Sequence, residues 1–292
     1  KKMKKVIILV PVFNDWESLT KLLNEISITI KDIKNYEFNC IIINDSSTIQ
    51  RPKITEPKNI KFLSIINMKE NRGHARCNAF GLRHIIQNEL FDYVILMDGD
   101  GEDRPVEIKD LLNKISLNPD ISVVAKRIKR SEGTVFQLMY QIHKLITYIF
   151  TGKKINFGNY SCLIKRDVEV LSDQPSLWSS YSGSVKKCLK KLNEIDSTRG
   201  LRYFGPSKMS LFNLAIHSFS IIAVFKYQVF LRTTFMIVLL SFLNNLLGVY
   251  SIFFQILLVF FNLLIFIIYL RENKKALFDS DQNVLDIKDF TH

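Results

Sequence analysis

The chain has 292 residues, is 47% hydrophobic and carries a formal net charge of +12 at pH 7. This length suits one medium-sized domain with additional elements. The four cysteines are scattered without metal-ligand spacing, which argues against a cysteine-based metal site and suits a reducing compartment. The positive charge suits contact with anionic lipid or with a phosphorylated substrate. Nucleic-acid binding is not expected, because no basic motif interleaved with aromatic residues occurs.

The first half of the chain alternates short apolar runs with amphipathic segments. The apolar runs predict buried strands at residues 6–12, 38–43, 62–66, 93–97 and 121–125. Helices are predicted after Asn14 and Asp15, which would cap the first of them, from residue 73 to about 88, and from Pro105. The apolar run at residues 6–10 is too short for a signal peptide and is predicted to be the first strand. The alternation predicts a doubly wound α/β domain.

An acidic stretch follows the fourth predicted strand. Asp98, Asp100, Glu102 and Asp103 lie within six positions that also contain two glycines. Like charges this close repel, so the stretch predicts a bound cation such as Mg²⁺ or Mn²⁺, which prefer carboxylate oxygen. The alternative is a solvated acidic turn.

Polar side chains also follow the other predicted strands. Asp15, Asp45 and Arg72 stand after the first three strands, as the acidic stretch stands after the fourth. Ligands of doubly wound sheets bind beyond the carboxyl ends of the strands. The sequence therefore predicts one site at this edge.

The last third of the chain is predicted to enter a membrane. No charged residue occurs from Thr233 to Leu270, and one span needs about 20 residues, so the window predicts two spans joined by a hairpin. Basic residues flank both ends, which predicts that both lie in the cytoplasm with the large N-terminal region. Residues 209–229 predict a helix on the membrane surface, and the alternative is a further core helix. The predicted units are a catalytic domain at 1–206, an interfacial helix at 207–230, a transmembrane hairpin at 231–271 and a cytoplasmic tail at 272–292.

Four motifs in order resemble family 2 glycosyltransferases of the GT-A fold. They are residues 11–15 (PVFND), 44–47 (NDSS), 73–81 (GHARCNAFG) and 98–100 (DGD) with Pro105. Residues 202–208 (RYFGPSK), followed by an apolar helix and spans, resemble the polyprenyl-phosphate sugar transferases of this family, such as dolichol-phosphate mannosyltransferase and bactoprenol glucosyltransferase. The resemblance implies a Rossmann-like, mostly parallel sheet with helices on both faces.

The resemblance also implies roles for individual residues. The nucleotide-sugar would be bound by Pro11, Phe13, Asp15, Asp45, Arg72 and Asp98. Asp98, Asp100 and Glu102 would be the catalytic residues, and Asp100 with Asp98 would bind the metal. Phosphate or acceptor binding would fall to Arg127, Arg130, Arg202, Ser207 and Lys208. Phe13, Asp15, Asn44 and Ser46 depart from the family's usual residues, which leaves the base open between UDP and GDP donors.

The chemical class of the acceptor is predicted from the absence of a general-base motif in the sequence. A hydroxyl acceptor usually needs a general base. Relatives with such acceptors carry an acidic base motif well after the metal site, whereas only Asp173 occurs between Ser172 and Leu192. A phosphate acceptor is already anionic and needs no base.

The sequence therefore predicts an inverting, metal-dependent transfer of a sugar from a nucleotide-sugar to a polyprenyl phosphate. The enzyme would be integral to the cytoplasmic membrane, and a homo-oligomer is left open. Asn159 and Ser161 are weaker candidates for sugar contact, and His143 is expected to be packed or interfacial. The alternatives are a membrane glycosyltransferase with a hydroxyl acceptor, which Asp173 or Asp103 could serve as base, and a non-catalytic membrane scaffold.

Overall fold

The protein is described from a computed structural model that covers residues 3–53, 57–129, 134–206 and 211–291. Its strands are β1 (Lys4–Val12), β2 (Tyr36–Asn44), β3 (Phe62–Met68), β4 (Tyr93–Leu96), β5 (Val123–Lys129), β6 (Phe157–Ile164), β7 (Asn193–Thr198) and β8 (Val284–Thr291). Its helices are α1 (Trp16–Ile30), α2 (His74–Asn88), α3 (Ile108–Leu117), α4 (Thr134–Thr151), α5 (Lys165–Ser172), α6 (Tyr181–Cys188), α7 (Leu211–Ala223), α8 (Lys226–Phe242), α9 (Asn244–Leu247), α10 (Val249–Tyr269) and α11 (Lys274–Phe278). Short 3₁₀ turns lie at Pro105–Glu107, Pro175–Trp178 and Ser280–Asn283.

The strands of the described residues form one sheet in the order β7-β5-β6-β4-β1-β2-β3-β8. Neighbouring pairs among β1 to β4 are parallel, as are β5 and β7. Two strands, β6 and β8, run antiparallel to their neighbours. The predicted mostly parallel α/β sheet is confirmed, and all five predicted strands are present.

Alternate residues of the central strand β1 enter two separate cores. Val6, Ile8 and Val10 pack with α1 and α3 on one face of the sheet. Ile7 and Leu9 pack with α2 on the other face. A strand buried on both faces needs an unbroken apolar run, which is the pattern that β1 shows. Helices therefore cover both faces, as predicted.

The segment after α10 is not the separate tail that the sequence predicted. Residues 284–291 form β8, which pairs antiparallel with β3 and closes one edge of the sheet. Just before it, Lys69 N donates to Asn283 O over 2.7 Å and Lys69 Nζ to Gln282 O over 2.8 Å. The sequence could not reveal this pairing, because the strand's partner lies some two hundred residues earlier in the chain.

The predicted interfacial helix is shorter than expected. The chain bends by 87° between α7, which ends at Ala223, and α8, which begins at Lys226. Ile222, Phe225 and Val229 were expected to face the membrane but are buried against the protein. This half of the segment therefore packs against the protein, and the helix on the membrane surface stays a prediction. The first residues of the segment, 207–210, lie outside the described residues.

One described helix, beginning at Val249, is long and apolar enough to cross a membrane. The bent pair α7 and α8 meets the same criterion only when its two helices are taken together. Polar groups join the two arms of the predicted hairpin, since Thr233 Oγ1 donates to Asn262 Oδ1 over 2.9 Å and Ser251 Oγ to Leu240 O over 2.6 Å. The two-span topology stays a prediction.

Candidate active site

The loops after β1 and β2 are joined by Asn14. Its side-chain oxygen accepts hydrogen bonds from Thr48 N (2.8 Å) and Ile49 N (3.0 Å). Asn14 adopts a φ of 52°, in the left-handed region that asparagine tolerates well. The expected side-chain cap of α1 is absent, because Asp15 occupies the N-cap position without capping and points to the site instead. Pro11 pairs with Ile43 one residue before β1 ends, and Phe13 is exposed beside these loops.

Asp45 connects the end of β2 to the start of α2. Its two carboxylate oxygens accept hydrogen bonds from Arg72 N (2.9 Å) and Gly73 N (2.8 Å). The Arg72 guanidinium donates twice to Glu70 Oε1, at 2.9 and 2.6 Å. Because Asp45 is only 3% exposed, its first role is to hold this turn. Base recognition by Asp45 stays a prediction.

Replacing Asp45 with alanine should lower the free energy of unfolding by about 2 to 4 kcal/mol, because two backbone donors lose a charged acceptor. Asp45→Asn keeps one acceptor oxygen and should lose about half as much. Chemical denaturation of both variants in detergent measures this difference. Equal losses in the two variants would show that the hydrogen bonds are not the source of stability.

Asp98 is the first residue of the acidic stretch. Its Oδ1 is 3.0 Å from His74 Nε2 and accepts a hydrogen bond from Asn159 Nδ2 over 3.1 Å. Asp103 is buried, and its Oδ2 accepts from the Asp98 backbone N over 2.9 Å. Asp103 thus shapes the loop from inside, and the N-cap position of the following 3₁₀ turn belongs to Arg104.

The carboxyl groups of the acidic stretch differ in pKa. Burial would raise the pKa of Asp98, but the charge and hydrogen bond of His74 outweigh it and hold that pKa well below its usual range. Burial and the nearby Asp98 raise the pKa of Asp100 to about 6, even though Arg202 opposes the shift. Burial and Asp98 also raise the pKa of Asp103 well above its ordinary value. The carboxyl groups of this one stretch therefore have very different pKa values, in part because the charge of Asp98 acts on the other two.

A segment that we call the arginine strap, Arg199–Tyr203, lies across the acidic stretch. Gly200 N donates to Glu102 O over 2.8 Å, and Tyr203 N donates to Asp100 O over 2.9 Å. Gly101 has a φ of 90°, and an added Cβ there would come within 2.4 Å of the Tyr203 ring. The strap can therefore pack this closely only against a glycine.

The two arginines of the strap contact three of the predicted site carboxylates. Arg199 forms an ion pair with Glu102. Arg202 forms ion pairs with Asp15 and, over 2.9 Å from Nη1 to Oδ2, with Asp100. The structure thus brings together three distant parts of the sequence, which contribute Asp15, Asp100 with Glu102, and Arg202.

Of the other residues predicted to bind phosphate, Arg127 alone lies within the described residues. The guanidinium of Arg127, at the end of β5, lies against Gly158, where an added Cβ would come within 2.2 Å of Nη2. Its charge contributes to the low pKa of Asp98, which puts Arg127 at the site. Arg130, Ser207 and Lys208 lie outside the described residues.

Several residues differ from their expected roles. His74 and Arg199 contact the acidic stretch, although the sequence assigned them no role. Asn159 contacts Asp98, as its candidate role requires, whereas Ser161 is fully buried and hydrogen-bonded to Tyr181. His74 could have been recognised as a site residue from the sequence, because it directly follows Gly73 at the start of a helix that comes after a strand end. No such sequence signal marked Arg199, because β7, which precedes it, is too polar to be recognised as a strand.

The protein has recognisable relatives. The model of glycosyl transferase family 2 matches residues 7–168, more than half of the chain. The chain belongs to glycosyl transferase family 2. It is therefore a glycosyltransferase, and the predicted family is confirmed.

Two curated relatives are similar over most of the chain. The undecaprenyl-phosphate 4-deoxy-4-formamido-L-arabinose transferase of Proteus mirabilis is 26% identical over 220 residues, which cover 73% of this chain and 65% of the relative. The protein of that name from Photorhabdus laumondii is 25% identical over 222 residues, with coverages of 73% and 65%. The chain thus spans just under two thirds of the length of these relatives.

Solved structures share the fold. Mannosyl-3-phosphoglycerate synthase from Rubrobacter xylanophilus aligns with a TM-score of 0.55 at 13% identity, covering 76% of this chain and 72% of that one. A mannosyltransferase from Pyrobaculum calidifontis, in complex with GDP-Man and Mn²⁺, aligns with a TM-score of 0.54 at 15% identity, with coverages of 78% and 64%. The GT-A fold of this family-2 glycosyltransferase is therefore confirmed.

Proposed function

We propose that this glycosyltransferase transfers one sugar, with inversion, from a nucleotide-sugar to a polyprenyl phosphate at a membrane surface. The observation that carries the proposal is the state of the carboxylates at the sheet edge. Asp15, Asp98, Asp100 and Glu102 each pair with an arginine or a histidine, and the buried Asp103 accepts a backbone hydrogen bond. In the donor-free protein each of these five carboxylates has a partner, so none is poised as a base for a hydroxyl acceptor.

The remaining candidate base is also occupied. Asp173 is 69% exposed at the end of α5 and pairs with Arg83 over 3.4 Å. A hydroxyl acceptor needs its proton removed during attack, whereas a phosphate monoester is anionic near neutral pH. The lipid phosphate would attack the anomeric carbon from the side opposite the leaving nucleoside diphosphate.

The donor half of the site is built from the loops after β1 to β4 and the arginine strap. Arginine binds phosphates through paired hydrogen bonds, so Arg202 and Arg199 would contact the donor diphosphate. Both arginines face carboxylates in the donor-free protein and would exchange at least part of these contacts for phosphate oxygens. Their charge would then stabilise the leaving group.

The residues fit a divalent cation of the Mg²⁺ type, which is commonly held by one or two carboxylates together with substrate phosphates. Burial and the charge of Asp98 raise the pKa of Asp100, and a cation bound beside both carboxylates would favour their ionised forms. Asp100 and Asp98 are the side chains that would hold it. Within the described residues no three His, Cys, Asp or Glu side chains could hold an ion alone, so donor phosphates would complete the coordination. When bound, the cation offsets charge on the leaving diphosphate.

The C-terminal segment supports a membrane hairpin. Lys226 begins α8, and Glu272 follows the end of α10. Lys226 Nζ lies 3.9 Å from Glu272 Oε2 and 3.0 Å from the centre of the Tyr269 ring. The chain therefore leaves and rejoins the catalytic domain at neighbouring points. If α10 crosses the bilayer, the preceding segment must cross it as well. Both ends would then lie with the catalytic domain on the cytoplasmic side, where basic flanks are favoured.

Helix α4 supplies a further apolar surface. Leu138, Ile142, Leu145 and Ile149 are exposed and recur at intervals of three and four residues, which puts them on one helix face. The helix packs against the membrane segment, since the rings of Phe150 and Phe261 are 4.3 Å apart. This exposed apolar face would meet the bilayer or the isoprenoid tail of the acceptor.

Incubation with a labelled nucleotide-sugar and undecaprenyl phosphate should move the label into the lipid extract, in a form released by mild acid. The experiment uses the full chain in detergent, with UDP- and GDP-linked sugars in parallel. Undecaprenol, which has the same tail without the phosphate, is the matched control and should remain unlabelled. Label on undecaprenol, or only in a water-soluble glycan, would contradict a phosphate acceptor and favour the hydroxyl-acceptor alternative.

A further inference from the structure

One row of residues crosses the sheet near the carboxyl ends of its parallel strands. Val12 in β1 is paired with Asn44 in β2, and Asn44 is paired with Asn67 in β3. Asn67 in turn faces Asp286 in the antiparallel strand β8. Val12 belongs to the core that packs on α1, so the row lies on that face of the sheet. Its last three residues are polar, and we call them the polar row (Asn44, Asn67 and Asp286).

Hydrogen bonds join the polar row to the loop after β2. Asn67 Nδ2 donates to Asp286 Oδ1, and Asn44 Nδ2 donates to Asn67 Oδ1 over 2.8 Å. Asn44 Oδ1 accepts from the backbone N of Ser47 over 3.0 Å. An unbroken chain of hydrogen bonds therefore runs from β8 to this loop.

The two ends of the polar row determine the direction of its hydrogen bonds. An ionised carboxylate only accepts, so Asn67 must turn its amide nitrogen to Asp286 and its amide oxygen to Asn44. A backbone N–H only donates, so Asn44 must turn its oxygen to Ser47 and its nitrogen to Asn67. One orientation of the two amides meets both requirements. Replacing Asp286 removes the acceptor that favours this orientation.

The loop that the polar row contacts has a backbone conformation that needs support. Ser46 has a φ of 59°, in the left-handed region that residues other than glycine rarely adopt. Such a conformation persists only when surrounding contacts hold it. The hydrogen bond from Ser47 N to Asn44 Oδ1 is one of these contacts, and the bond from Ser46 Oγ to Lys69 O over 3.2 Å is another.

The same loop is joined to its neighbours at the candidate donor site. Asp45 holds the turn that leads into α2 through Arg72 N and Gly73 N. The Ser47 hydroxyl accepts a hydrogen bond from Asn14 N over 2.9 Å, which connects it to the loop after β1. A shift of this loop would therefore affect the two segments beside it.

We propose that Asp286 is a positioning residue of the donor site, which acts through Asn67 and Asn44 to hold the loop after β2 in the conformation that binds the nucleotide-sugar. The inference rests on the nucleotide-sugar donor of the proposed function and deepens it. It gives a role in donor binding to the C-terminal strand, which returns to the sheet after α10. The family resemblance marked neither Asn67 nor Asp286.

The first test is the KM for the nucleotide-sugar in the Asp286→Ala variant. If the loop spends a smaller fraction of time in its binding conformation, the apparent donor affinity falls by that fraction, whereas the rate from the bound state does not change. We expect KM to rise about fivefold, the effect typical of losing one hydrogen bond, and kcat to stay within about twofold. A loss of folded protein would instead lower kcat at an unchanged KM, and that result would overturn the positioning role.

Two further variants of β8 control this measurement. Asp286→Asn keeps an acceptor oxygen for Asn67 and should restore most of the donor affinity. Asp289→Ala removes a carboxylate from the same strand, on the opposite face because strand residues alternate, and should leave both constants unchanged. An equal rise of KM in Asp289→Ala would show that the charge of β8, rather than the polar row, affects donor binding.

A double-mutant cycle tests whether the polar row acts as one chain. Asn67→Ala breaks the row in its middle and should by itself raise the KM for the nucleotide-sugar about fivefold. In that background Asp286→Ala should cause little further change, because its connection to Asn44 is already lost. Multiplication of the two effects would mean that Asp286 and Asn67 act independently, which would overturn the proposed relay.

A titration with UDP and with GDP separates this inference from the proposed function, because it needs no acceptor lipid. It uses the full chain in detergent with Mg²⁺ present. The nucleotide that binds the wild-type protein should bind Asp286→Ala about fivefold more weakly and Asp286→Asn with nearly unchanged affinity. Failure of sugar transfer to undecaprenyl phosphate with this difference intact would contradict the proposed function alone. Equal binding to wild type and Asp286→Ala would overturn the role of Asp286 and leave the proposed function standing.

Discussion

Replacing Asp100 with asparagine should lower kcat/KM for sugar transfer by about 10² to 10³-fold, the range typical of losing one electrostatic contact to a developing charge. The introduced amide would be isosteric with the natural carboxylate but neutral. It could accept from Arg202 only weakly, and it would be a poor ligand for a cation that bridges the donor phosphates. The measurement is initial transfer rate against nucleotide-sugar concentration in detergent.

The same substitution should stabilise the donor-free protein. Burial and Asp98 raise the pKa of Asp100 to about 6, so the folded state disfavours its ionised form. Protonated Asp100 contributes stability that is fully present below its unfolded pKa of about 3.9 and is lost as the pH rises through 6. Asp100→Asn should therefore gain on the order of 1 kcal/mol at pH 8, and this gain should vanish near pH 4. Thermal unfolding at both pH values tests the sign.

The matched control is Asp92→Asn. Asp92 lies just before β4, at the opposite end of the strand from Asp100, and pairs with Lys4 at the surface. The Asp92→Asn variant should leave the rate of sugar transfer unchanged. Full transfer by Asp100→Asn would remove Asp100 from the catalytic and metal roles, and destabilisation at pH 8 would mean that its contact with Arg202 outweighs the cost of its burial.

The sheet edge could be predicted because its evidence is local. Each of β1 to β4 is an apolar run followed at once by polar residues, so Asp15, Asp45, Arg72 and Asp98 were predicted to meet from the order of the elements alone. The detailed contacts could not be predicted in this way. Asp45 was expected to bind the nucleotide-sugar, and the sequence did not show that its oxygens also accept hydrogen bonds from two backbone donors. A sequence pattern does not show which of several possible hydrogen-bond donors a carboxylate contacts in the folded protein.

The elements that escaped prediction have non-local causes. β7 and β8 are edge strands rich in charged residues, and such strands lack the apolar run that marks a central one. Their positions depend on β5 and β3, which lie far away in the chain. The arginine strap follows β7, so missing the strand meant missing Arg199. The bend after Ala223 likewise depends on packing of α7 and α8 against α10, which the composition of the segment does not reveal.

Removing the Arg202 side chain should have the largest effect on stability and transfer together. Arg202 pairs with both Asp15 and Asp100, and all three side chains are at most 19% exposed. Breaking partly buried pairs from one side leaves uncompensated charge, so Arg202→Ala should lower the free energy of unfolding by about 2 to 4 kcal/mol at pH 8. Transfer should fall by about 10²-fold or more, because the donor diphosphate also loses a bidentate partner. Arg202→Lys keeps the charge but cannot reach two carboxylates in fork geometry, so it should recover stability more than transfer.

A double-mutant cycle with Asp100→Asn separates the two roles of Arg202. In the neutral Asp100→Asn background, Arg202→Ala leaves one unpaired carboxylate instead of two, so its cost in stability should shrink by about 1 kcal/mol. Lys4→Ala is the control, since Lys4 is 53% exposed and pairs with the 36% exposed Asp92 away from the acidic stretch. It should cost no more than about 1 kcal/mol in either background. An unchanged cost of Arg202→Ala in the Asp100→Asn background would mean that Arg202 stabilises the strap through Asp15 alone. In that case Asp100 would be paired mainly with the donor's cation, and the exchange of carboxylate for phosphate would occur at Asp15.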